Sequence, residues 1–374
     1  MRIAINMTPL VKGKSVTGIG NYIIQIVGRI LEIDSINEYY LISNGELDVN
    51  FFPKGNVHNV IINCSSSYIV SRYLMIKEII RKKIDVYWSP TQALPLFKIK
   101  KTKYYMTMYD IANLKNVDFA RYSTYRQKLF RYVTKHSINK ADLVFSISEA
   151  TKRDIIQTFN ISDTYKIKTV YLGGNDSRVQ SEPNDVLERF KITKPYFLYV
   201  GTLQPRKNIK TIVDGYLTYR ENAHKGALVL AGGVGWGVEK VLERIKESIY
   251  KDDIYILGYI SEADKHTLYK NTAGVIFPSL YEGFGIPILE AFEYGLPVIT
   301  AKNTSLPEVG GDAALYLDDE LSAEELAQLM DKVMQLSVEE RESIAQKDKK
   351  QLKKFDWNKC ATETYQLLTQ RDNM

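Results

Sequence analysis

The sequence predicts an α/β protein built from two doubly wound, Rossmann-like domains in tandem, and three observations carry this prediction. The 374 residues exceed what one hydrophobic core usually organises, so two domains are expected. Short apolar runs alternate with helical patterns along the chain, which is typical of parallel sheets covered by helices. The alternation restarts after a polar stretch at residues 173–184, the best candidate for a linker.

The first half opens with a strand, a glycine-containing loop and a helix, which is the start of a βαβ unit. Ile3–Met7 is the apolar strand, and apolar side chains recur at helical spacing from Ile23 to Leu31. Further apolar runs are predicted to be strands, with helical patterns between several of them: Tyr39–Ser43, Val57–Ile62, Val86–Ser89, Tyr104–Tyr109 and Leu143–Ile147.

The second half repeats this alternation. Its predicted strands are Tyr196–Gly201, Ala227–Gly232, Ile254–Leu257, Gly274–Pro278 and Pro297–Thr300, all short and apolar, as expected for strands buried on both faces. The stretch from Leu321 to Leu368 is predicted to be helical. We therefore place domains at residues 1–178 and 179–354 and a final helix at residues 355–374. Ligands are expected in a central cleft at the carboxyl ends of the strands.

Composition excludes several classes of protein. The hydrophobic fraction of 45% and the charged fraction of 25% are ordinary for a globular chain. Two distant cysteines, Cys64 and Cys360, form neither a disulfide framework nor a four-ligand zinc site, and they fit a reducing compartment. The N-terminus resembles a strand rather than a signal peptide, and the stretch Gly226–Val238 is too short and glycine-rich to span a bilayer. We expect a cytoplasmic protein.

The charge is distributed unevenly. Residues 1–180 contain 26 basic and 14 acidic residues, a balance of +12, whereas the remainder contains 24 and 30, a balance of −6. The basic half could therefore meet anionic lipid, a phosphorylated acceptor or nucleic acid. Residues 121–135 combine five basic side chains with aromatic residues and contain no acid. Such a helix either lies on an anionic membrane, at the inner face of the cell membrane, or packs on its own sheet.

The loop after the predicted strand Gly274–Pro278 carries the most informative residues. Glu282 lies in this loop, and Glu290 lies about one turn into a helix that Pro287 opens and Gly295 ends. The first N–H groups of that helix would form an anion site suited to a pyrophosphate. Ionised carboxylates accept strong hydrogen bonds from sugar hydroxyls. Taken singly, each glutamate has an alternative reading, as a solvated loop residue or as a partner of the helix dipole.

Arg206 and Lys207 form a second candidate site, in the loop after the strand Tyr196–Gly201. A planar guanidinium and a compact ammonium are both suited to phosphate groups, although a solvated pair of cations is common.

Two weaker candidates lie in the first half. Gly18 and Gly20 form a Gly-x-Gly that lacks the third glycine of the dinucleotide fingerprint, so a tight turn is the alternative. Tyr109 and Asp110 end a predicted strand, where Asp110 would face the cleft or cap a helix.

With these residues laid out, the chain resembles the retaining nucleotide-sugar glycosyltransferases of family four, which have the GT-B fold, and in particular bacterial mannosyl- and rhamnosyltransferases of polysaccharide assembly. Glu282-Gly283-Phe284-Gly285-Ile286-Pro287-Ile288-Leu289-Glu290 is similar to the family's E-x7-E motif. Residues 201–208 resemble its phosphate-binding loop, and residues 17–20 its N-terminal glycine loop. Residues 355–357 resemble the point where the last helix returns to the N-terminal domain.

The resemblance implies a role for each matching residue. Arg206 and Lys207 would neutralise the donor diphosphate, and Glu290 would hold the ribose hydroxyls. Glu282, with the amides of Gly283, Phe284 and Gly285, would hold the donor sugar and phosphate, and Gly18 and Gly20 would let the N-terminal domain close over the diphosphate. The family needs neither a metal ion nor another cofactor.

One position departs from the family pattern. Members usually have His-Asp where this chain has Tyr109-Asp110, and a tyrosine with a pKa near 10 is a poor base at neutral pH. The resemblance implies transfer of a hexose to a glycan or lipid-linked acceptor, with the acceptor attacking on the front face and the leaving phosphate taking its proton. Mannose from GDP-mannose is the first expectation, and UDP- and dTDP-sugars remain open.

Three other functions fit parts of the sequence. A glycoside hydrolase would use Glu282 and Glu290 as acid and base, but it would leave Arg206 and Lys207 unexplained. A binding protein for nucleotide-sugars or glycans without turnover is suggested by the missing histidine. A nucleic-acid binder is suggested by the basic half, but no recognition motif accompanies it, so nucleic acid is not an expected partner.

Overall fold

The structure, a computed structural model, describes residues 1–13, 18–47, 55–62, 68–115, 124–174, 185–222 and 224–370. Contacts between Cα atoms divide the chain into two compact units. The first comprises Met1–Ile111, Tyr122–Gly173 and Asp356–Met374, and the second comprises Ala112–Arg121 and Gly174–Phe355. Most of the predicted linker lies outside the described residues.

The described residues of the first unit form a seven-stranded parallel sheet in the order β3-β2-β1-β4-β5-β6-β7. Its strands are β1 (Arg2–Asn6), β2 (Glu38–Ser43), β3 (Val57–Ile61), β4 (Val86–Ser89), β5 (Lys103–Met108), β6 (Leu143–Ser146) and β7 (Ile167–Thr169). The helices in this part of the chain are α1 (Gly18–Ile33), α2 (Tyr68–Lys82), α3 (Ala112–Lys115, in the second unit), α4 (Thr124–Lys140) and α5 (Glu149–Phe159).

The second unit forms a six-stranded parallel sheet in the order β10-β9-β8-β11-β12-β13. Its strands are β8 (Tyr196–Val200), β9 (Ala227–Ala231), β10 (Ile254–Gly258), β11 (Gly274–Phe277), β12 (Val298–Ala301) and β13 (Leu315–Leu317). Its helices are α6 (Val186–Arg189), α7 (Ile209–Glu221), α8 (Glu239–Glu247), α9 (Glu262–Asn271), α10 (Ile286–Glu293), α11 (Leu306–Gly310), α12 (Ala323–Gln335) and α13 (Val338–Leu352). The chain then ends in α14 (Trp357–Thr369), which belongs to the first unit.

Burial on both faces explains why the central strands are mostly apolar. All five residues of β9 are fully buried, and so are Tyr87 and Trp88 in β4. In the first unit α14 packs on α1, where Arg29 Nε donates to Asn358 Oδ1 at 3.0 Å. The strands predicted from apolar runs are all present with ends shifted by at most one residue, whereas β7 and β13 were not predicted.

The strand order fixes where a ligand would bind in each unit. In each sheet the direction in which successive strands are added reverses once, between β1 and β4 in the first unit and between β8 and β11 in the second, although all strands run parallel. Loops that leave neighbouring strands at such a switch point diverge and leave a crevice at the carboxyl edge of the sheet. In the second unit these are the loops that carry Arg206, Lys207 and Glu282.

Candidate active site

The loop after β8 is held in place by its own backbone. Leu203 N donates to Gly233 O at 2.9 Å, and Gly235 N donates to Leu203 O at 2.8 Å, so the loops after β8 and β9 pair. The two backbones approach so closely that a Cβ on Gly232 would lie 2.1 Å from Gly201 O. This approach requires glycine at position 232 and leaves the loop little room to move.

A single 3-10 turn at Pro205–Lys207 carries the two cations and is tied to the neighbouring loop. Asn208 ends the turn in the left-handed conformation, with φ of 60°, and its Nδ2 donates to Pro278 O at 3.1 Å. Leu280 N donates to Arg206 O at 2.9 Å. The loops after β8 and β11 are therefore connected through backbone groups, independently of any ion pair.

Arg206, Lys207 and Glu282 form one compact cluster. Arg206 Nη1 lies 3.0 Å from Glu282 Oε2, and Lys207 Nζ donates to Glu282 Oε1. Only 17%, 13% and 9% of the three side chains are exposed. Burial acts to raise the pKa of the Glu282 carboxyl, but Lys207 and Arg206 more than offset this, so the pKa lies below its ordinary value. Two cations face one carboxylate, which leaves the cluster with an excess positive charge.

The helix α10 begins directly beside this cluster. Gly285 precedes the helix with φ of 126°, a conformation that favours glycine, and Pro287 lies in the first turn. The Ser305 hydroxyl shares its one hydrogen between Phe284 O at 2.6 Å and Glu282 O at 3.0 Å, which fixes the approach of the chain to the helix. Because the first N–H groups of a helix have no partner within it, its N-terminus favours anions.

Glu290 lies in the second turn of α10 and is 7% exposed. Lys265 Nζ donates to its Oε1 at 2.6 Å, and the Tyr269 hydroxyl donates to its Oε2 at 2.9 Å. Burial acts to lower the pKa of Lys265, but Glu290 and Glu262 raise it above its ordinary value. Burial and Glu290 raise the pKa of Tyr269 as well. Sequence reasoning missed Lys265 and Tyr269, because they lie on α9 in a stretch without a motif.

The structure thus brings Arg206, Lys207, Glu282, Gly283, Phe284 and Gly285 together at one end of the second sheet, with Glu290 further along α10. The other four predicted residues, Gly18, Gly20, Tyr109 and Asp110, belong to the first unit. Gly18 and Gly20 were predicted in a loop, and this was wrong, since they occupy the first turn of α1. Thr17 lies outside the described residues.

Tyr109 and Asp110 follow β5, as predicted. The Tyr109 hydroxyl donates to Pro90 O at 2.9 Å, and its ring packs edge-on against Tyr22 with the centroids 5.2 Å apart. Burial, with a smaller contribution from Tyr22, raises the pKa of Tyr109 well above its ordinary value, so the hydroxyl stays protonated. Asp110 O accepts from Gln92 Nε2 at 2.8 Å. The functional roles predicted for these residues and for Gly18 and Gly20 stay predictions.

Neither a metal-binding group of side chains nor a membrane-spanning helix occurs among the described residues. Within them no three or more His, Cys, Asp or Glu side chains are grouped so as to hold a metal ion. In the same ranges no helix has the length and apolar character needed to cross a bilayer.

Most of the second unit matches a known protein family. Residues 183–351 match the protein family described as "Glycosyl transferases group 1". The chain carries a group 1 glycosyltransferase domain. The Arg206–Lys207–Glu282 cluster, Lys265 and Glu290 all lie within this domain, which therefore contains every functional candidate of the second unit.

Relatives and solved structures extend the comparison beyond the group 1 domain. O-antigen chain mannosyltransferase B of Escherichia coli is 34% identical over 64% of this chain and 65% of its own length. O-antigen chain mannosyltransferase RfbU of Salmonella typhimurium is 26% identical over 85% of this chain and 88% of its own length. HepE of Anabaena, solved with UDP and glucose, has a TM-score of 0.73 at 16% identity and covers 99% of both chains. The chain therefore has the GT-B fold of two Rossmann-like domains.

Proposed function

We propose that this protein transfers a hexose from a nucleotide-sugar to a glycan or lipid-linked glycan, with retention of the donor's anomeric configuration and without a metal ion. Mannose from GDP-mannose is the first choice of donor, and the names of the two mannosyltransferase relatives support it. The observation that carries the proposal is the cluster of Arg206, Lys207 and Glu282 beside the N-terminus of α10. Its excess positive charge and the helix terminus both favour a diphosphate at this place.

The chemistry follows from where charge develops. When the bond between the anomeric carbon and the diphosphate breaks, negative charge grows on the leaving phosphate and the sugar becomes oxocarbenium-like. Arg206 and Lys207 stabilise that charge, and because Glu282 holds both cations in place beforehand, little reorganisation is needed. The acceptor hydroxyl attacks the face that the diphosphate leaves and gives its proton to the leaving phosphate. No protein carboxylate forms a covalent bond to the sugar in this scheme.

Glu282 and Glu290 take different roles in this proposal. Both oxygens of Glu282 accept from cations, so this carboxylate positions Arg206 and Lys207 and, with the backbone of residues 283–285, borders the donor sugar. Glu290 holds the ribose hydroxyls, since Lys265 and Tyr269 orient its carboxylate.

Incubation with GDP-mannose and a lipid-linked glycan acceptor tests the proposal. We expect release of GDP that depends on the acceptor, and a product whose new linkage has the anomeric configuration of the donor. Lys207→Gln should abolish release, whereas Lys210→Gln, which removes a 78% exposed cation on α7, should not. A product of inverted configuration, or trapping of the sugar on a carboxylate of the protein, contradicts the mechanism.

We also propose that α4 binds an anionic membrane surface, which would bring a lipid-linked acceptor to the enzyme. Tyr125, Leu129 and Tyr132 recur along the helix and are 76%, 52% and 70% exposed. The exposed side chains beside them include Arg126, Lys128 and Lys135. Exposed apolar side chains among cations are typical of a helix at a lipid interface. The alternative, that this face packs on the sheet, disagrees with its exposure.

Vesicle binding tests this surface. We expect the protein to sediment with vesicles that contain anionic lipid and to be released by salt, because exposed charges are screened. Replacing both Tyr125 and Tyr132 with serine should weaken binding. Equal binding to neutral vesicles, or binding that salt does not change, contradicts the proposal.

A further inference from the structure

The first turn of α9 lies beside Glu290 and is fixed by its own capping interactions. Ser261 N donates to Asp264 Oδ2 at 3.0 Å, and Asp264 N donates to Ser261 Oγ at 3.1 Å. Arg189 of α6 makes an ion pair with the same Asp264 carboxylate. Two reciprocal hydrogen bonds and an ion pair therefore hold the direction in which Glu262 and Lys265 leave the helix.

Lys265 connects two carboxylates of different exposure. Its Nζ lies 2.6 Å from Glu290 Oε1 and 2.9 Å from Glu262 Oε2. The Glu290 side chain is 10% exposed, whereas the Glu262 side chain is 68% exposed. The resulting row of groups leads from the interior of the second unit to its surface and ends in a carboxylate beside an ammonium group.

The charged groups of the second unit follow one another in the order in which a nucleoside diphosphate presents its diphosphate, ribose and base. Arg206, Lys207 and Glu282 stand at the N-terminus of α10, and Glu290 follows five residues after Gly285, about 7.5 Å along the helix. The contacts of Lys265 then lead from Glu290 to Glu262. A donor with its diphosphate at the helix terminus and its ribose at Glu290 would have its base next to Lys265 and Glu262. This step rests on the proposed function.

We propose that Glu262 and Lys265 read the base and select guanine. The pairing edge of guanine presents two adjacent donors, N1–H and the 2-amino group, beside the acceptor O6. A carboxylate accepts both donors side by side, and an ammonium group donates to O6, a contact that lysine commonly makes with guanine.

The other common bases fit this pair less well. Uracil and thymine present one N–H between two carbonyl oxygens, so a carboxylate there faces two acceptors. Adenine presents one amino donor beside an acceptor nitrogen and can occupy only one of the carboxylate oxygens. Hypoxanthine keeps O6 and N1–H of guanine and lacks only the 2-amino group, which makes IDP the most specific probe of Glu262.

Calorimetric titration of the full chain with GDP, IDP, ADP and UDP tests the proposal. We expect GDP to bind most tightly, and IDP to bind about 10- to 100-fold more weakly, because one charge-assisted hydrogen bond is lost. In Glu262→Gln the affinity for GDP should fall to near that for IDP. Glu324→Gln, which neutralises an exposed carboxylate in the first turn of α12, should keep the full preference for GDP.

The outcomes separate this proposal from the function on which it rests. If none of the nucleoside diphosphates binds, the proposed function fails. If UDP or ADP binds as tightly as GDP, or if Glu262→Gln keeps the preference for GDP over IDP, the protein binds nucleotides but the assignment of Glu262 and Lys265 is wrong. Because Glu262 is largely exposed, Glu262→Gln should unfold at the temperature of the unmodified protein, so a loss of preference cannot come from misfolding.

Discussion

Replacing Lys207 with methionine removes one of the two cations from the buried Glu282 carboxylate and keeps most of the side-chain volume. Breaking a buried ion pair on one side costs about 3–5 kcal/mol, because a charge is left without its partner. Arg206 remains 3.0 Å from the other carboxylate oxygen, so we expect the free energy of unfolding to fall by about 2–3 kcal/mol, at or below the lower end of that range. For a domain of this size that corresponds to a fall in the unfolding temperature of roughly 4–12 °C.

A double-mutant cycle with Glu282→Gln separates stability from binding. The double variant K207M/E282Q should be more stable than the two single effects predict, with a coupling of about 1–3 kcal/mol, because the Lys207 ammonium and the Glu282 carboxylate are removed together and neither is left without the other. Its affinity for nucleoside diphosphates should stay low, since the cation that meets the phosphate is missing. Thermal unfolding and calorimetric titration measure the two quantities. Additive stabilities refute the argument from the buried charge, and recovered affinity in the double variant refutes the role of Lys207 in donor binding.

Three other tests concern separate features of the protein. Both carboxylate oxygens of Asp348 are buried without a hydrogen-bond partner among the described residues, and burial raises the pKa of this carboxyl to about 8. Between about pH 4 and pH 8 the native state therefore keeps a proton that the unfolded state has already released. The free energy of unfolding should therefore fall by about 1.4 kcal/mol for each unit by which the pH rises through that window. Urea unfolding should show that Asp348→Asn removes this slope. Gly285→Ala places a Cβ 3.2 Å from Leu306 Cδ2 at positive φ, so it should destabilise the protein by about 1–3 kcal/mol in a thermal scan. Gly28→Ala is the control: it lies in a helix with open space around it and should stabilise the protein. Tyr109→Phe loses the hydrogen bond to Pro90 O and should cost about 1 kcal/mol with kcat nearly unchanged, so a large fall in kcat assigns Tyr109 a part in the chemistry.

Most of the sheets could be predicted from the sequence because buried parallel strands are continuous apolar runs. The two strands that were not predicted, β7 and β13, are three residues long and lie at the edges of their sheets. Residues there are only partly buried, so Ile167-Lys168-Thr169 lacks the apolar run that marks the central strands. A strand of that length is defined by its neighbour's hydrogen bonds rather than by its own composition.

The residues of the candidate site were also predicted only in part. Arg206, Lys207 and Glu282 follow neighbouring strands, so the order of strands is enough to bring them together. Lys265 and Tyr269 reach Glu290 only because α9 packs beside α10, a tertiary contact that leaves no local signal. Gly18 and Gly20 were expected in a loop because glycine is common in turns, but α1 begins at Gly18, ahead of the apolar positions from which that helix was inferred.

The central claim is that Arg206 and Lys207 bind the diphosphate of a nucleotide-sugar, and titration of GDP into the protein and its charge variants tests it most directly. We expect Arg206→Gln and Lys207→Gln each to weaken GDP binding by about tenfold or more, the loss of a charge-assisted hydrogen bond, while Lys210→Gln binds like the unmodified protein. Equal affinity of all four proteins for GDP would place the diphosphate elsewhere and contradict the account.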